Sequence, residues 1–535
     1  MARPRLHASL FDERGGNRHR WIWLCAIFAA FAILASQVGT DTDWDLRNYH
    51  AYNAHALLSG RFWTDIAPAQ SQTFLSPVLD IPMGFIRDRL NNWPRLRNVV
   101  LAAPHAVAVW LAFELTLRVL PGRTPARALI AIAATLFGAT GVAGLPVVAS
   151  AQDDMIGGSC VMGGLLLLTS HRARRNSGAA CAGLLFGLAA GLKLTAVPYC
   201  LAGAVTLLLV PAEAPATRVS RIGAYVLAGV LAMVLLVGPW CVVLFDRYRN
   251  PILPYLNNWF HSPFVDPLPF TDERFKPRDL LQALAYPAFW AIRPTTLVNE
   301  LPMRDARFAV ACVASLGTIG YHALCRRADA PPTDRGLLLS VFFVSAFAVW
   351  ELAFSVLRYL APLELLTGTM VLIALRPLLA RPRARIPVAL GCAALGAAVT
   401  AATVYPDWGR TPAPRPVQIS LPALTPNSLV ILLDPSPMAY LADLVSPAIP
   451  FVGANNNLIQ PGRGGLLARQ AENMIRAHAG PLYGLEEPSE SPGIADQTLA
   501  YYGLARNGCS PVVSDLDNNA IRLCRLTTAH GHSPS

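Results

Sequence analysis

Long apolar stretches, separated by short arginine-rich ones, set the pattern of this chain. The first apolar run, Trp21 to Gly39, follows a basic opening that carries Arg3, Arg5, Arg14, Arg18 and Arg20. At ~1.5 Å per residue, a run of about 19 residues crosses a hydrocarbon core of ~30 Å. It lacks the small-residue cleavage site of a secretory signal, so it reads as a retained first helix. Further apolar segments lie near 98–118, 127–149, 154–170, 178–193, 195–211, 222–244, 307–325, 336–356, 360–375 and 386–404. The pattern predicts an all-α polytopic membrane domain of about 11 transmembrane helices over residues 1–404. The stretch 178–211 reads as one kinked helix or as two short ones broken near Pro198.

The connections decide orientation. Arg118/Arg123/Arg127, Arg172/Arg174/Arg175, Arg218/Arg221, Arg326/Arg327/Arg335 and Arg376/Arg381/Arg383/Arg385 all fall on the side of the basic N-terminus. Cytoplasmic loops are enriched in this way. The expected topology therefore has a cytoplasmic N-terminus and, after an odd number of crossings, a periplasmic C-terminus in a bacterial inner (plasma) membrane. Two outer loops are long, 40–97 and 245–306. In the first, Phe74 to Ile86 is apolar enough to lie in the interface as an amphipathic helix.

Beyond 405 the pattern changes. Asp407 to Pro416 is Pro-rich and reads as a linker. Leu429–Asp434, Ile449–Gly453 and Pro511–Val513 read as buried strands, and Arg463–Ala479 and Ile494–Arg506 as amphipathic helices. That alternation predicts a small extracytoplasmic α/β domain over 405–535.

Composition agrees with a membrane protein: 53% of the 535 residues are hydrophobic and 14% charged, against about 25% charged in soluble chains. The net charge of +11 comes from arginines clustered between apolar runs, which argues against a nucleic-acid partner. Lys193 and Lys276 are the only lysines. No C-x-x-C occurs among the ten cysteines, so no zinc pattern is present. Eight lie in or beside apolar segments. Cys509 and Cys524 lie in the polar C-terminal region, where an oxidising compartment would join them as a disulfide. No glycine-rich nucleotide fingerprint is present in that region.

The densest polar cluster follows the first helix: Asp41, Asp43, Asp45, Arg47, Asn48, Tyr49, His50, Tyr52 and Asn53. A helix cap at Asp43 or Asp45 would account for one carboxylate and leave two. Near a low-dielectric boundary a carboxylate can take a proton from an incoming hydroxyl. Paired acids can also hold a divalent cation, Mg or Mn. Both roles are open at this level.

The run Asp45-Leu-Arg-Asn-Tyr49, then Ala56-Leu-Leu-Ser-Gly60-Arg61 and Asp65, resembles the first outer loop of the C-type glycosyltransferases. These are multi-helix enzymes that take sugar from a polyprenyl-phosphate donor. Gln152-Asp153-Asp154, the glycine-rich Gly187 to Gly191 stretch ending in Lys193, and Arg358-Tyr359 with Pro362 resemble further motifs of that superfamily, over about residues 20–405. Many members carry an acidic residue where this chain has Leu46. The resemblance implies Asp45, or Asp43, as catalytic base. It implies Arg358 and Lys193 at the donor phosphate, with Tyr49, His50, Asp153, Asp154 and Tyr359 binding substrate. The expected partners are a polyprenyl-phosphate-linked sugar, the lipid bilayer and a glycan, lipid or protein acceptor. A transporter or lipid-linked flippase of the cell envelope is the alternative, and would use mid-membrane acids such as Glu114, Glu351 and Glu364. Charged residues at helix ends and the lack of an internal repeat favour the enzyme.

Overall fold

The computed structural model describes residues 17–120, 125–152, 154–211, 215–324, 334–517 and 519–528. Among the described residues five helices are long and apolar enough to cross a membrane: Arg20–Gln37, Pro94–Val119, Thr217–Tyr248, Arg307–Leu324 and Arg335–Ala353. A bent pair, Leu357–Glu364 and Thr367–Ala374, reaches the same length across a 49° break. Five shorter apolar helices, Arg127–Ala139, Asp154–Leu168, Asn176–Leu192, Leu194–Leu209 and Ile386–Ala402, complete the bundle.

Close approach of backbones is one device that holds it. Gly183 and Gly187, one turn apart on the helix Asn176–Leu192, face the long helix Pro215–Tyr248. A Cβ at Gly187 would stand 2.0 Å from the Gly229 carbonyl oxygen, and one at Gly183 would stand 2.0 Å from that of Tyr225. In lipid, where apolar burial gives helices little reason to associate, such small-residue seams supply the packing. The stretch 178–211 is two helices. The break comes at Lys193, whose backbone is extended, and Pro198 sits in the first turn of the second helix, where its missing N–H costs nothing.

Arg123, Arg326 and Arg327 lie outside the described residues; three other arginines of these connections donate to carbonyls at helix ends. Arg118 reaches Leu166 at 2.6 Å, Arg335 reaches Thr169 at 3.1 Å, and Arg221 reaches Val210 at 2.8 Å. These cations face the negative ends of helix dipoles.

The loop at 40–97, the connection after Tyr248 and the chain beyond 417 share one hydrophobic core. Among the described residues seven strands follow the bundle: β1 Ile419–Ser420, β2 Leu429–Leu432, β3 Phe451–Gly453, β4 Leu482–Glu486, β5 Leu504–Pro511, β6 Val513–Ser514 and β7 Arg522–Thr528. Five form a sheet of order β3-β2-β4-β7-β5, parallel across β3-β2-β4 and antiparallel beyond. The helices Gly465–Ala477 and Ile494–Tyr502 connect them. The second helix stops short of the Arg506 expected from sequence. Gly503 takes a left-handed conformation (φ 65°) as its C-cap, and the strand starts at Leu504. Pro511 correspondingly ends β5 instead of opening a strand.

The segment 74–86 also departs from expectation. Phe74 and Leu79 are buried, Trp240 Nε1 donates to the Phe74 carbonyl at 2.9 Å, and the helix runs Asp80–Arg89. Phe74 is thus a core residue of the shared unit and not part of a lipid-facing helix.

Candidate active site

The acidic loop is built by short-range turns. Asp41 accepts the Asp43 amide at 3.1 Å, and Asp43 accepts the Asp45 amide at 2.5 Å. Each carboxylate therefore folds the chain over the next residue, as Asx turns do. Each is also anchored elsewhere. Asp41 accepts the Ala151 amide at 2.7 Å, and Asp43 accepts from Gln152 Nε2 at 2.5 Å. Asp45 forms an ion pair with Arg358 Nη1. Asp45 is already helical in φ and ψ and makes no side-chain cap bond, so the capping role does not apply to it. One wide turn, Leu46–His50, follows, with all five residues buried.

Three separate stretches thus converge on the acidic loop. The start of the helix Asp154–Leu168 brings Gln152 and Asp154. The break after Leu192 brings Lys193, whose Nζ lies 2.8 Å from Asp154 Oδ1 and donates to the Gln152 carbonyl at 2.7 Å. The turn Leu357–Leu360 brings Arg358, its guanidinium 5.4 Å from the centre of the Tyr359 ring. The Tyr49 hydroxyl stands 3.5 Å from Asp45 Oδ2. His50 turns aside and places Nδ1 2.5 Å from Asp80 Oδ1. Asp153 lies outside the described residues. Arg358 Nε and Asp154 Oδ2 are buried without a hydrogen-bond partner among the described residues. They are a free donor and a free acceptor at the centre of the cluster.

Electrostatics separate the two neighbouring acids. Burial, then the charges of Asp45 and Asp41, push Asp43 up to about 7. Burial works upward on Asp45 as well, but Arg358, His50 and Lys193 outweigh it and hold the group below the usual carboxylate range. At neutral pH Asp45 is the ionised member and Asp43 sits near half-protonation.

As a cation site the loop fits poorly. Both oxygens of Asp41 and Asp43 are already engaged by N–H donors, and the Asp45 oxygen nearest the cluster faces Arg358. Glu486, Cys509 and Cys524 are close enough together to share an ion, but the two sulfurs are bonded to each other and offer no thiolate.

Sequence reasoning passed over several members. Asp41 and Gln152 hold the loop in place, and Tyr255 lies within electrostatic reach of Tyr359, Arg358 and Asp45. An Asp at every second position is a readable turn signal. Tyr255 sits in an irregular connection and had none. The acids of the transporter alternative are occupied in part: Glu114 pairs with Arg20 at 3.0 Å, and Glu364 accepts the Ala143 and Gly144 amides at 3.0 and 2.9 Å.

No protein-family model and no curated protein matches this sequence. Solved structures do. The crystal structure of ArnT from Cupriavidus metallidurans in the apo state aligns with a TM-score of 0.50 at 14% identity, over 97% of this chain and 100% of that one. The cryo-EM structure of a mutant of the arabinofuranosyltransferase AftD from mycobacteria aligns with a TM-score of 0.51 at 16% identity, over 96% of this chain and 42% of that one. The chain therefore shares the fold of these two membrane-protein structures along almost its whole length.

Proposed function

We propose that this protein is an inverting membrane glycosyltransferase, moving a sugar from a polyprenyl-phosphate donor to an envelope glycan, lipid or protein. In this reading the bent pair and the shorter helices also cross the bilayer. That gives about 11 spans, with the acidic loop and the domain over 405–535 on the periplasmic face. The observation that carries the reading is the Asp45–Arg358 ion pair beside a buried, unpartnered Arg358 Nε.

A guanidinium is a forked receptor for phosphate oxygens. The donor phosphate competes with Asp45 for Arg358, and its arrival frees the carboxylate. Asp45 then takes the proton of the acceptor hydroxyl as that oxygen attacks the anomeric carbon from the face opposite the phosphate. The bond from that carbon to the phosphate oxygen breaks, and polyprenyl phosphate leaves with its charge met by Arg358 and Lys193. Asp154 steadies Lys193, while Tyr49 and Tyr359 line the substrate; His50, turned to Asp80, supports the turn from behind. The flippase alternative loses support from the pairing of Glu114 and Glu364, which leaves neither free as a relay.

The test uses purified protein, radiolabelled polyprenyl-phosphate sugar and envelope extract. Wild-type protein should transfer label. Asp45→Asn should lower the rate by about 10²–10⁴ with donor binding retained, the contribution of a positioned base. Arg358→Ala should weaken donor binding. Full activity of both Asp45→Asn and Asp43→Asn would exclude an acid-loop base.

A further inference from the structure

We propose that Asp517, in the domain that follows the membrane bundle, is a positioning residue for the base-bearing loop and acts through Arg47. The proposal rests on the functional reading above and extends the active centre into the C-terminal domain.

The wide turn Leu46–His50 is the rigid link. Arg47 comes two residues after Asp45, and its amide donates to the Asp43 carbonyl at 3.2 Å. The side chains then diverge. Asp45 turns to Arg358 of the bundle, and Arg47 turns to Asp517, with which it forms an ion pair. Both partners are shielded, with side chains 11% and 1% exposed. Asp517 is itself held, because its Oδ1 accepts the Asn519 amide at 2.9 Å. Next to it Tyr440, on the turn Ala439–Leu444, donates to Ser514 Oγ at 2.8 Å.

Glu487 follows β4 and is fully buried. Burial, then Asp517 and Glu490, raise its pKa to about 8, and Arg47 pulls the other way. The Arg47 guanidinium therefore pairs with one acid of the domain and acts through its charge on a second. Removing one partner of a buried pair leaves an uncompensated charge, so loss of Asp517 must move Arg47 and, with it, the turn that carries Asp45.

This pair is not what docks the domain. Arg61, with its side chain fully buried, donates to the Val445, Ser446 and Ile449 carbonyls at 2.8, 3.0 and 3.2 Å. It also pairs with Asp65 at 3.2 Å. Ile66 joins the edge of β3, its amide donating to the Phe451 carbonyl at 3.0 Å. Without Arg47–Asp517 the domain stays attached, and what changes is the placement of the turn.

The experiment compares wild type, Asp517→Asn, Asp517→Glu and the double variant Arg47→Met/Asp517→Leu as full-length protein in nanodiscs. Arg506→Gln is the control for domain stability, because it removes the contacts of the edge strand β5 to Glu486 on β4 and to Asp496 on the helix Ile494–Tyr502 while leaving the Arg47–Asp517 pair intact. Hydrogen exchange at the amides of residues 44–50 should be at least about 10-fold faster in Asp517→Asn and in the double variant. It should be near wild type in Asp517→Glu and in the control. Transfer should fall by about 10²-fold in kcat, with donor KM changed less than about 3-fold, as expected of a displaced catalytic group. The double variant removes both charges together and is expected to fold if Asp517→Asn does not. Wild-type exchange at 44–50 in whichever of these variants folds overturns the positioning role. Accelerated exchange in a protein that transfers no sugar in any form would leave the link standing and count against the functional reading instead.

Discussion

Asp43 and Asp45 carry the same carboxyl group two positions apart, yet the fold drives their acidities in opposite directions. The cause is placement: Asp45 meets a guanidinium, and Asp43 is buried between two other acids. Asp43 therefore titrates in the folded protein near pH 7, against about 3.9 for a free side chain. Its folded pKa is raised, so its contribution to stability is complete below about pH 4 and is lost as pH rises through about 7. We expect Asp43→Asn to abolish an inflection near pH 7 in the transfer rate. The same variant should be more heat-stable than wild type at about pH 8.5, with the gap closing towards pH 4. Melting curves and rates across that range check both. The resemblance read from the sequence marked Asp45, or Asp43, as base and Arg358 as phosphate ligand. That Asp45 and Arg358 bond to each other, 313 positions apart, is tertiary information that no local pattern encodes.

At the scale of elements, hydropathy made the helices legible because lipid exposure forces a long apolar run on any span. Breaks were harder to read. The helix ends at Lys193 because that side chain is drawn to Asp154 and the Gln152 carbonyl, contacts invisible in a hydropathy profile. In the C-terminal domain β2 and β3 were readable as buried apolar runs, whereas β4 and β7 were missed. β7 reads Arg-Leu-Cys-Arg-Leu-Thr-Thr, with exposed arginines and threonines between its buried residues, and resembles a polar loop. The glycine seam gives a test at this scale. Gly187→Ala puts a methyl group against the Gly229 backbone and should cost about 1–3 kcal/mol, the usual price of overpacking. Transfer should fall too, since Lys193 lies six residues further along. Gly223→Ala, on the partner helix with nothing within 4 Å, should be neutral or slightly stabilising. Thermal melting of the two variants side by side decides whether the seam matters.

Across the whole molecule, the loop at 40–97 and the C-terminal sheet behave as one body on one end of the bundle. The opposite end gathers the arginines that cap helix carbonyls. If the arginine-rich end is cytoplasmic, the C-terminus is periplasmic. A reporter that works only in the periplasm should be active when fused after Ser535, and activity of a cytoplasm-only reporter there would reverse the orientation. The Cys509–Cys524 bond joins neighbouring antiparallel strands; disulfides persist in oxidising compartments, so the proposed placement predicts that neither thiol titrates as free in non-reduced, denatured protein.

The contacts of Arg61 carry a consequence for how the protein is made. Its partners at Val445 and Ile449 lie 384 and 388 residues downstream. At a ribosomal pace of about 5–20 residues per second, roughly 20–80 s separate the emergence of the arginine from that of the carbonyls it will bind. During that interval the helices between them are made while the first loop lacks the sheet that will bury it. A segment made late therefore closes over one made early. A nascent chain stalled before Ser446 should remain open to protease in the 40–97 loop even after its helices are in place.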